Sequence, residues 1–369
     1  MNIRKITLHR LKMKLKHPFR NSLSAVSEKE FSIVEIENGS GLSGYGETVA
    51  FDAPWYTEET NETTQYMLEQ FLVPLLKAAP ISHPSEVQQR FQAVKGNPMA
   101  KAALEEAVWD LYAKEQNLPL HRILGGVNKE IAAGISIGIE NTIESLLARI
   151  EDKISEGYKR VKIKIKPGWD VNVLREIRSA FPSLPLMADA NSAYSLRDLD
   201  HLKQLDEFSL LMIEQPFAHN DFADHAVLQE QLATPVCLDE SIQSLADART
   251  AIALGSCRII NLKIGRVGGL QEAMDIHNLA LEHGIGLWCG GMLESGIGRA
   301  HNMALASLPG FTLPGDIGSS SHYWHEDIIV PEVIVEKGII KLNDLPGIGY
   351  RLNQEVFEAC RTGKKTFSL

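Results

Sequence analysis

The second half of the chain repeats one short pattern, and this repeat constrains the fold more than any other feature. From residue 134 onward, eight apolar, β-prone runs return about every 25 residues. They begin near residues 134, 161, 184, 210, 235, 258, 286 and 311 and read GISIGI, VKIKI, LPLMADA, LLMIEQP, PVCLDE, RIINLKI, GLWCGG and FTLPGD. Between them, apolar residues recur at helical spacing, as in residues 143–154 and, after a Ser195 cap, in residues 196–205. The sequence therefore predicts strands that alternate with helices.

Eight such units indicate a barrel. Units of this length fill roughly 200 residues, the size of an α/β barrel, whose active site lies where its strands end. A leucine-rich solenoid has a similar period, but no L-x-x-L-x-L pattern recurs and the runs end in unlike polar residues. We therefore predict an α/β fold with the barrel over residues 126–325.

The first 125 residues have a different pattern. Three β-like runs, near residues 2–15, 30–37 and 43–50, precede helical segments such as MAKAALEEAVWDLYAKEQ. In that segment Ala102, Glu105, Trp109 and Ala113 predict a helix with one core face and one surface face. We expect an α+β capping domain over residues 1–125, and a segment over residues 326–369 that offers a strand pair and returns to the capping domain.

Composition excludes several classes of function. A chain of 369 residues with a formal net charge of -10 lacks the clustered basic face of a nucleic-acid-binding protein. No apolar run is long enough to span a membrane, and the N-terminus has no block like that of a signal peptide, so we expect a cytoplasmic protein. The four cysteines are scattered without metal or redox spacing, which predicts reduced, mostly buried thiols.

The second run, VKIKI, combines an apolar face with a charged one. Lys162 and Lys164 lie on one side of the strand, while Val161, Ile163 and Ile165 lie on the other. In a barrel covered by helices, the lysines would point into the barrel mouth. The alternative is a solvated edge strand that carries protective lysines.

The spacing of ionisable residues favours the barrel mouth. Lys164, Asp189, Glu214 and Asp239 follow one another at 25-residue intervals, and Lys263 comes 24 residues later. Three carboxylates that converge at one rim repel one another unless a cation holds them. Oxygen ligands without histidine or cysteine favour a hard ion such as Mg²⁺. We predict Asp189, Glu214 and Asp239 as metal ligands, with Asn191 as a hydrogen-bond donor or acceptor beside them.

Lys164 and Lys263 would then flank the metal from two different strands. Cations close to a lysine favour its neutral form, which a general base requires. The sequence therefore predicts two lysines that exchange protons with a substrate.

At these motifs the sequence resembles the enolase superfamily, in particular its muconate-lactonizing subgroup. The resemblance covers the whole chain and rests on the K-x-K of the second run together with LGG at 124, MADAN at 187, MIEQP at 212, CLDES at 237 and NLKIGRVGG at 261. The stretch WCGGMLESGIGRAHNMALASLPGFTLPGDI is similar to the o-succinylbenzoate synthase / N-succinylamino acid racemase family. The D-x-D pair typical of dipeptide epimerases is absent from TLPGDIGSS, and muconate cycloisomerases lack the glycine-rich pattern.

The resemblance implies a modified TIM barrel of (β/α)7β type and a reaction. It implies Mg²⁺-dependent syn dehydration of 2-succinyl-6-hydroxy-2,4-cyclohexadiene-1-carboxylate in menaquinone biosynthesis, with Mn²⁺ as a substitute metal. The alternative is racemisation of N-succinylamino acids, or of other N-acylamino acids, by proton transfer between two lysines; a distant alternative is a non-catalytic scaffold. The implied partners are a small carboxylate substrate and further copies of the chain, and neither nucleic acid nor membrane.

The resemblance also assigns residues. It implies that Lys164 is the main acid and base, that Lys263 acts on the opposite face, and that Lys162 and Asn191 help the metal hold the substrate carboxylate. The implied pocket walls are Ser136, Phe19, Tyr56, Gly291 and Met292. A buried hydroxyl and ordinary packing aromatics are the alternatives for Ser136, Phe19 and Tyr56.

Three further residues surround this set. Glu240 is implied to contact the metal ligands without binding the metal itself. Arg266 resembles an arginine that tunes the second lysine, and its alternative is a surface ion pair. His322, which lies close to His325 in the sequence, is interpreted as part of the surface or of a domain junction.

Overall fold

The N-terminal part of the chain forms an antiparallel sheet. The computed structural model describes residues 1–20 and 25–368. The first three strands are β1 (Ile3–Arg20), β2 (Ala25–Asn38) and β3 (Ser43–Glu47). The final strand of the chain, Arg361–Ser368, pairs with the outer edge of β1, so the order across the sheet is last strand, β1, β2, β3. The end of the chain therefore returns to the sheet in which it begins.

Helices cover one face of this sheet. They are α1 (Asn61–Met67), a π-helical turn (Leu68–Leu72), α2 (Val73–Lys77), α3 (Ser85–Phe91), α4 (Pro98–Glu115) and α5 (Leu120–Ile123). The α4 helix lies directly against β3, because a Cβ atom at Gly46 would come within 2.0 Å of the Ala103 carbonyl oxygen.

The predicted surface face of α4 is wrong. Ala102, Glu105, Trp109 and Ala113 are all at most 2% exposed. The reason is that α4 lies between the antiparallel sheet and the barrel and is therefore buried on both sides. The mixture of apolar and charged residues indicated a helix with an exposed face, but the side chain of the charged Glu105 is buried in the interior.

The barrel is built from seven parallel strands in sequential order. After β4 (Glu130–Ala132), they are β5 (Ile135–Ile137), β6 (Val161–Lys164), β7 (Leu186–Asp189), β8 (Ile213–Glu214), β9 (Val236–Leu238), β10 (Ile259–Leu262) and β11 (Gly286–Cys289). The helices between and after them are α6 (Ile143–Ser155), α7 (Val171–Ala180), α8 (Leu199–Leu202), α9 (Phe222–Gln231), α10 (Leu245–Leu254), α11 (Ile264–Val267), α12 (Leu270–Glu282) and α13 (Gly296–Ala306). The predicted α/β barrel with an α+β region beside it is confirmed.

The eighth predicted strand is not a regular strand. Residues 311–316 instead make isolated bridges to both ends of the curled sheet. The Gly134 N–H donates to the Gly315 carbonyl at 2.7 Å, and the Asp316 N–H donates to the Cys289 carbonyl at 2.9 Å. Pro314 lacks a backbone donor, which limits this segment to irregular pairing. It nevertheless closes the gap between the first and last strands.

Two further predictions on local structure need correction. Residues 196–205, predicted as one helix, form α8 flanked by 3₁₀ turns at Leu196–Asp198 and Lys203–Phe208, although Ser195 does cap the first turn. The two adjacent runs of the tail do not pair with each other: β12 (Ile329–Val330) pairs with β14 (Arg351–Leu352) further along the tail, and β13 (Ile339–Lys341) pairs with β4. The remaining elements are α14 (Ser320–Tyr323), α15 (Gln354–Cys360) and β15 (Arg361–Ser368).

Side chains alternate across the barrel strands. Val161 and Ile163 belong to the core between strands and helices, whereas Met187, Cys237 and Trp288 form a small cluster inside the barrel. In the described part of the chain, no helix has both the length and the apolarity that a membrane crossing requires.

Carboxylates of the N-terminal part cap two barrel helices. Glu47 accepts hydrogen bonds from the N–H groups of Ser295 and Gly298 at the start of α13, both at 2.9 Å. Glu105 accepts from the Leu270 N–H and, at 3.0 Å, from the Gln271 N–H at the start of α12. The first N–H groups of a helix have no partner within the helix, so these carboxyl oxygens satisfy them and fix the barrel against the N-terminal sheet.

Candidate active site

One cavity lies at the carboxyl ends of the barrel strands and collects most of the predicted residues. The strand-end residues that line it are Lys162, Lys164, Asp189, Asn191, Asp239 and Lys263. They converge because parallel strands bring their carboxyl ends to the same edge of the sheet. Lys164, Asp189 and Glu214 are direct neighbours in register across β6, β7 and β8.

Lys164 is held by the next strand. Its Nζ donates to Asp189 Oδ2 at 2.6 Å and to Asn191 Oδ1 at 2.7 Å. Asn191 follows β7 in a left-handed conformation with φ of 42°, which a non-glycine residue adopts rarely. This turn brings the Asn191 amide back over the strand end, beside the ammonium group.

Lys162 lies deeper and contacts three carboxylates. Its Nζ is 2.7 Å from Asp316 Oδ2, 3.1 Å from Glu214 Oε2 and 3.4 Å from Asp189 Oδ2. Burial would lower the pKa of Lys162, but these three anions outweigh it and hold the pKa well above its usual value. The edge-strand alternative is excluded, because β6 lies between β5 and β7 and is fully buried.

Lys263 enters the cavity from the end of β10, which three strands, β7, β8 and β9, separate from β6. Its Nζ donates to Asp239 Oδ2 at 2.9 Å and to the Tyr56 hydroxyl at 2.8 Å. Gly290 makes room for it, since a Cβ atom there would lie 2.6 Å from Lys263 Cε. Burial acts to lower the pKa of Lys263, but Asp239 and Tyr56 raise it above its usual value. The neutral amine predicted from the sequence depends on a divalent cation beside the lysine and stays a prediction.

Arg266 is fully buried, so the alternative of a surface ion pair is wrong. Its guanidinium pairs with Asp239 Oδ1, donates to the Tyr56 hydroxyl at 3.0 Å and donates to the Ile242 carbonyl at 2.8 Å. Asp239 therefore lies between Lys263 and Arg266. Burial acts to raise the pKa of Asp239, but these two cations hold it well below its usual range.

The three carboxylates fit a divalent cation by their chemistry. Burial, with a contribution from Asp189, raises the pKa of Glu214 to about 8, so this carboxylate is costly to ionise without a cation. Asp239 adds to that repulsion. Across the described ranges no three acidic, histidine or cysteine side chains form a ready-made metal cluster, because lysine ammonium groups occupy the space between the carboxylates. The donor set of buried oxygens remains the type that Mg²⁺ prefers.

Glu214, Glu240 and Arg266 do not line the cavity itself. Glu214 is beneath it, where it accepts from the Asn261 side-chain amide at 2.8 Å. Glu240 accepts from the Asn191 side-chain amide at 3.2 Å and lines a neighbouring cavity, and its Oε2 has no hydrogen-bond partner among the described residues. Burial and Asp239 raise the pKa of Glu240 to about 7.

The predicted pocket walls lie around the same cavity. They are Phe19 and Tyr56 from the N-terminal part, Ser136 at the middle of β5, and Gly291 and Met292 after β11. Tyr56 belongs to an aromatic cluster with Phe51 and Trp55, whose rings are 4.4 Å apart. Aromatic side chains of the N-terminal part therefore enclose the ends of the barrel strands.

The sequence interpretation missed Asp316 and Arg160. Asp316 contacts Lys162 and accepts from Arg160 at 2.8 Å, so it neutralises both cations at the cavity floor. A usable signal existed, because Asp316 ends the eighth run as Asp189 and Asp239 end theirs. His322, interpreted as part of the surface or of a domain junction, lines the cavity together with Tyr323, their rings 4.8 Å apart.

Comparison with known proteins places the chain in a family. Residues 145–356 match the family described as enolase C-terminal domain-like, and residues 3–125 match the mandelate racemase / muconate lactonizing enzyme N-terminal domain. An o-succinylbenzoate synthase of Geobacillus stearothermophilus is 58% identical, over 100% of this chain and 98% of its own. An N-succinylamino acid racemase of Thermus thermophilus is 45% identical over 95% of both chains.

The fold agrees with these sequence matches. A crystal structure of an enolase superfamily member from Listeria innocua, 43% identical, superimposes with a TM-score of 0.98 over 100% of this chain and 99% of that one. The chain therefore belongs to the enolase superfamily, and within it to the family of o-succinylbenzoate synthases and N-succinylamino acid racemases.

Proposed function

We propose that this protein is an o-succinylbenzoate synthase, a carbon–oxygen lyase that dehydrates 2-succinyl-6-hydroxy-2,4-cyclohexadiene-1-carboxylate. The observation that carries the proposal is the pair of buried lysines, Lys164 and Lys263, which enter one cavity from β6 and β10 beside buried carboxylates. The 58% identical relative named as such a synthase supports the same assignment. The product would feed menaquinone biosynthesis.

The residues account for both bonds that break. Lys164 Nζ takes the proton from the carbon next to the substrate carboxylate, and the electron pair of that C–H bond passes to the carboxylate as an enediolate. The electron pair of the enediolate then forms a double bond to the ring carbon that bears the hydroxyl, and the hydroxyl leaves with a proton from Lys164 as water, so the ring becomes aromatic. Lys263 stays cationic on the other face, where Asp239 holds it at 2.9 Å and its charge stabilises the enediolate.

A divalent cation would be held by Asp189, Glu214 and Asp239. Enzymes of this superfamily use a lysine or histidine base with one or two Mg²⁺ ions, and the bound ion supplies positive charge that stabilises the enediolate oxygens. Lys162 and Asn191 would orient the substrate carboxylate, with Lys162 anchored by Asp316 at 2.7 Å. Asp189 would pair less fully with Lys164 if it held a cation, which would favour the neutral amine that a base requires.

Racemisation of N-succinylamino acids is the second candidate. It needs a proton donor on each face of the α-carbon, and Lys263 is the second lysine in the cavity. The buried Arg266 beside it and the 45% identical racemase relative favour this candidate as an additional activity of the same site. A non-catalytic scaffold would need neither lysine.

Two measurements separate these candidates. Formation of o-succinylbenzoate with Mg²⁺, lost in Lys164→Ala, supports the synthase; proton exchange of N-succinylamino acids without dehydration supports racemisation alone. Absence of both reactions, with no metal effect on thermal unfolding, supports a scaffold. The cytoplasmic location and the homo-oligomeric state stay predictions from the sequence, and size-exclusion chromatography tests the second.

A further inference from the structure

A buried lysine of the N-terminal sheet has no part in the chemistry described above. Lys29 lies in β2 and is 2% exposed. It faces the barrel side of the sheet, with its Nζ 5.5 Å from the centre of the Phe51 ring and 6.0 Å from that of Phe31. Burying an ammonium group is costly unless its donors are satisfied, so the partners of Lys29 identify what it does.

Those partners are backbone carbonyls of the cavity wall. Lys29 Nζ donates to the Met292 carbonyl at 2.6 Å and to the Leu293 carbonyl at 3.0 Å. Within residues 1–20 and 25–368 it forms no ion pair; Glu47 and Glu294 are the nearby anions and Arg299 the nearby cation. Both accepting residues line the catalytic cavity. A side chain of the N-terminal sheet thus holds the segment that follows β11.

The held segment has a conformation that needs support. Leu293 has φ of 58°, in the left-handed region that a leucine rarely adopts. From the other side, Glu294 Oε1 accepts from the Met292 N–H at 2.9 Å and is itself held by the Asn302 amide at 3.0 Å. Met292 and Leu293 are therefore held by an acceptor at the Met292 N–H and by Lys29, which supplies the donor for both carbonyls.

We propose that Lys29 is a positioning residue that fixes the Met292–Leu293 wall and thereby determines how tightly the cavity holds the substrate. The inference rests on the proposed function, which supplies the substrate. Lys29 contacts neither lysine of the active site nor any predicted metal ligand, so it acts on substrate binding and not on proton transfer.

The test compares Lys29→Met with Lys29→Arg and with Lys12→Met, a control at an exposed lysine on the neighbouring strand. For Lys29→Met we expect KM for the hydroxycyclohexadiene substrate to rise about tenfold or more while kcat stays within about threefold. Lys29→Arg, which keeps the donors, should recover most of the lost affinity, and Lys12→Met should match the wild type. If Lys29→Met does not fold, Lys29→Gln replaces it, with a smaller rise because its amide reaches one carbonyl at most.

Two results overturn the proposal. One is an unchanged KM in Lys29→Met; the other is an equal loss of kcat and Mg²⁺ affinity, which would mean that the whole site has collapsed. Amide hydrogen exchange on the full chain gives a readout that does not depend on activity. The amides of residues 290–294 should exchange faster in Lys29→Met than in the wild type, while those of residues 186–189 exchange at the same rate in both. Equal exchange of residues 290–294 in the two proteins would contradict the proposed role of Lys29. Failure of the wild type to dehydrate the substrate would overturn the proposed function and leave this exchange test intact.

Discussion

At the scale of single residues, the site depends on close contacts between side chains that are distant in the sequence. Lys263 and Asp239 are 24 residues apart and were predicted to meet because they end consecutive strands. Tyr56 meets Lys263 across 207 residues of chain, and no periodicity in the sequence indicates that contact. The spacing of residues in the sequence therefore predicted the contacts within the barrel. The contribution of the N-terminal part to the site could be predicted only from the family resemblance.

Gly290 gives the first prediction. A Cβ atom at this position would lie 2.3 Å from Asn261 Oδ1 and 2.6 Å from Lys263 Cε, so Gly290→Ala must displace the lysine. Displacement by about 1 Å in a catalytic group costs about 10²-fold in rate, and we expect a loss of that order in kcat/KM. Gly286→Ala, at the start of the strand that Gly290 follows, is the control, because its nearest neighbour would be 3.3 Å away. Equal activity of the two variants would contradict the tight packing around Lys263.

Arg266 gives the second prediction. Because it pairs with Asp239 and donates to Tyr56, it acts on the group that holds Lys263. Racemisation requires Lys263 to exchange a proton, while dehydration requires only its charge. Arg266→Gln should therefore lower racemisation about tenfold or more and dehydration by less than about threefold. Parallel assays of the two reactions on one protein preparation check this, and equal losses in both rates would remove the role of Arg266.

At the scale of elements, the sequence predicted the regular strands, but it did not predict which segments would be irregular. The runs from residue 134 to residue 289 became strands because their apolar faces pack on helices. Residues 311–316 have the same apolar character, but Pro314 and the close approach of Gly315 to Cys289 leave isolated bridges. The helix predicted over residues 196–205 breaks into short turns for which the leucine spacing gave no signal.

Glu105 links two elements and titrates in a predictable direction. Burial raises its pKa from 4.5 to about 7, although the Gln271 and Leu270 N–H groups act against this. A carboxyl group whose pKa is raised on folding contributes stability that is present below pH 4.5 and lost as the pH rises through about 7. The free energy of unfolding of the wild type, relative to Glu105→Gln, should therefore fall by about 3 kcal/mol across that window.

Urea unfolding of both proteins at several pH values measures this difference. Groups common to both chains cancel in the comparison, so the residual pH dependence belongs to position 105. A difference that stays flat, or that grows with pH, would show that Glu105 does not cap α12 as a buried carboxyl group.

At the scale of the whole molecule, the candidate active site is formed jointly by two parts of the chain. Phe19 and Tyr56 reach the cavity from the N-terminal part, and Glu47 and Glu105 cap helices of the barrel. The last strand, β15, returns to the N-terminal sheet, whereas residues 326–352 pair elsewhere. The predicted domain boundaries at residues 125 and 325 stay predictions. The contacts between the two parts join segments that are distant in the sequence. The apolar pattern of single strands does not predict which distant segments meet.

Metal binding should stabilise the whole molecule. A ligand that binds only the folded state at 100 times its Kd adds about 2.7 kcal/mol to the free energy of unfolding. We expect Mg²⁺ to raise Tm in the wild type and to have no such effect in Asp239→Asn, which removes one predicted ligand. Asp200→Asn, at an exposed position on α8, is the control. An equal Mg²⁺ effect in all three proteins would exclude Asp239 as a ligand.

The Mg²⁺-dependent kcat/KM for o-succinylbenzoate formation, measured in the wild type and in Lys164→Ala, tests the proposed function most directly. We expect at least about 10⁴ M⁻¹s⁻¹ for the wild type, a value typical of effective enzymes, and no measurable formation in the variant. Comparable activity in Lys164→Ala would contradict the assignment of the base, and negligible activity in the wild type would contradict the synthase itself.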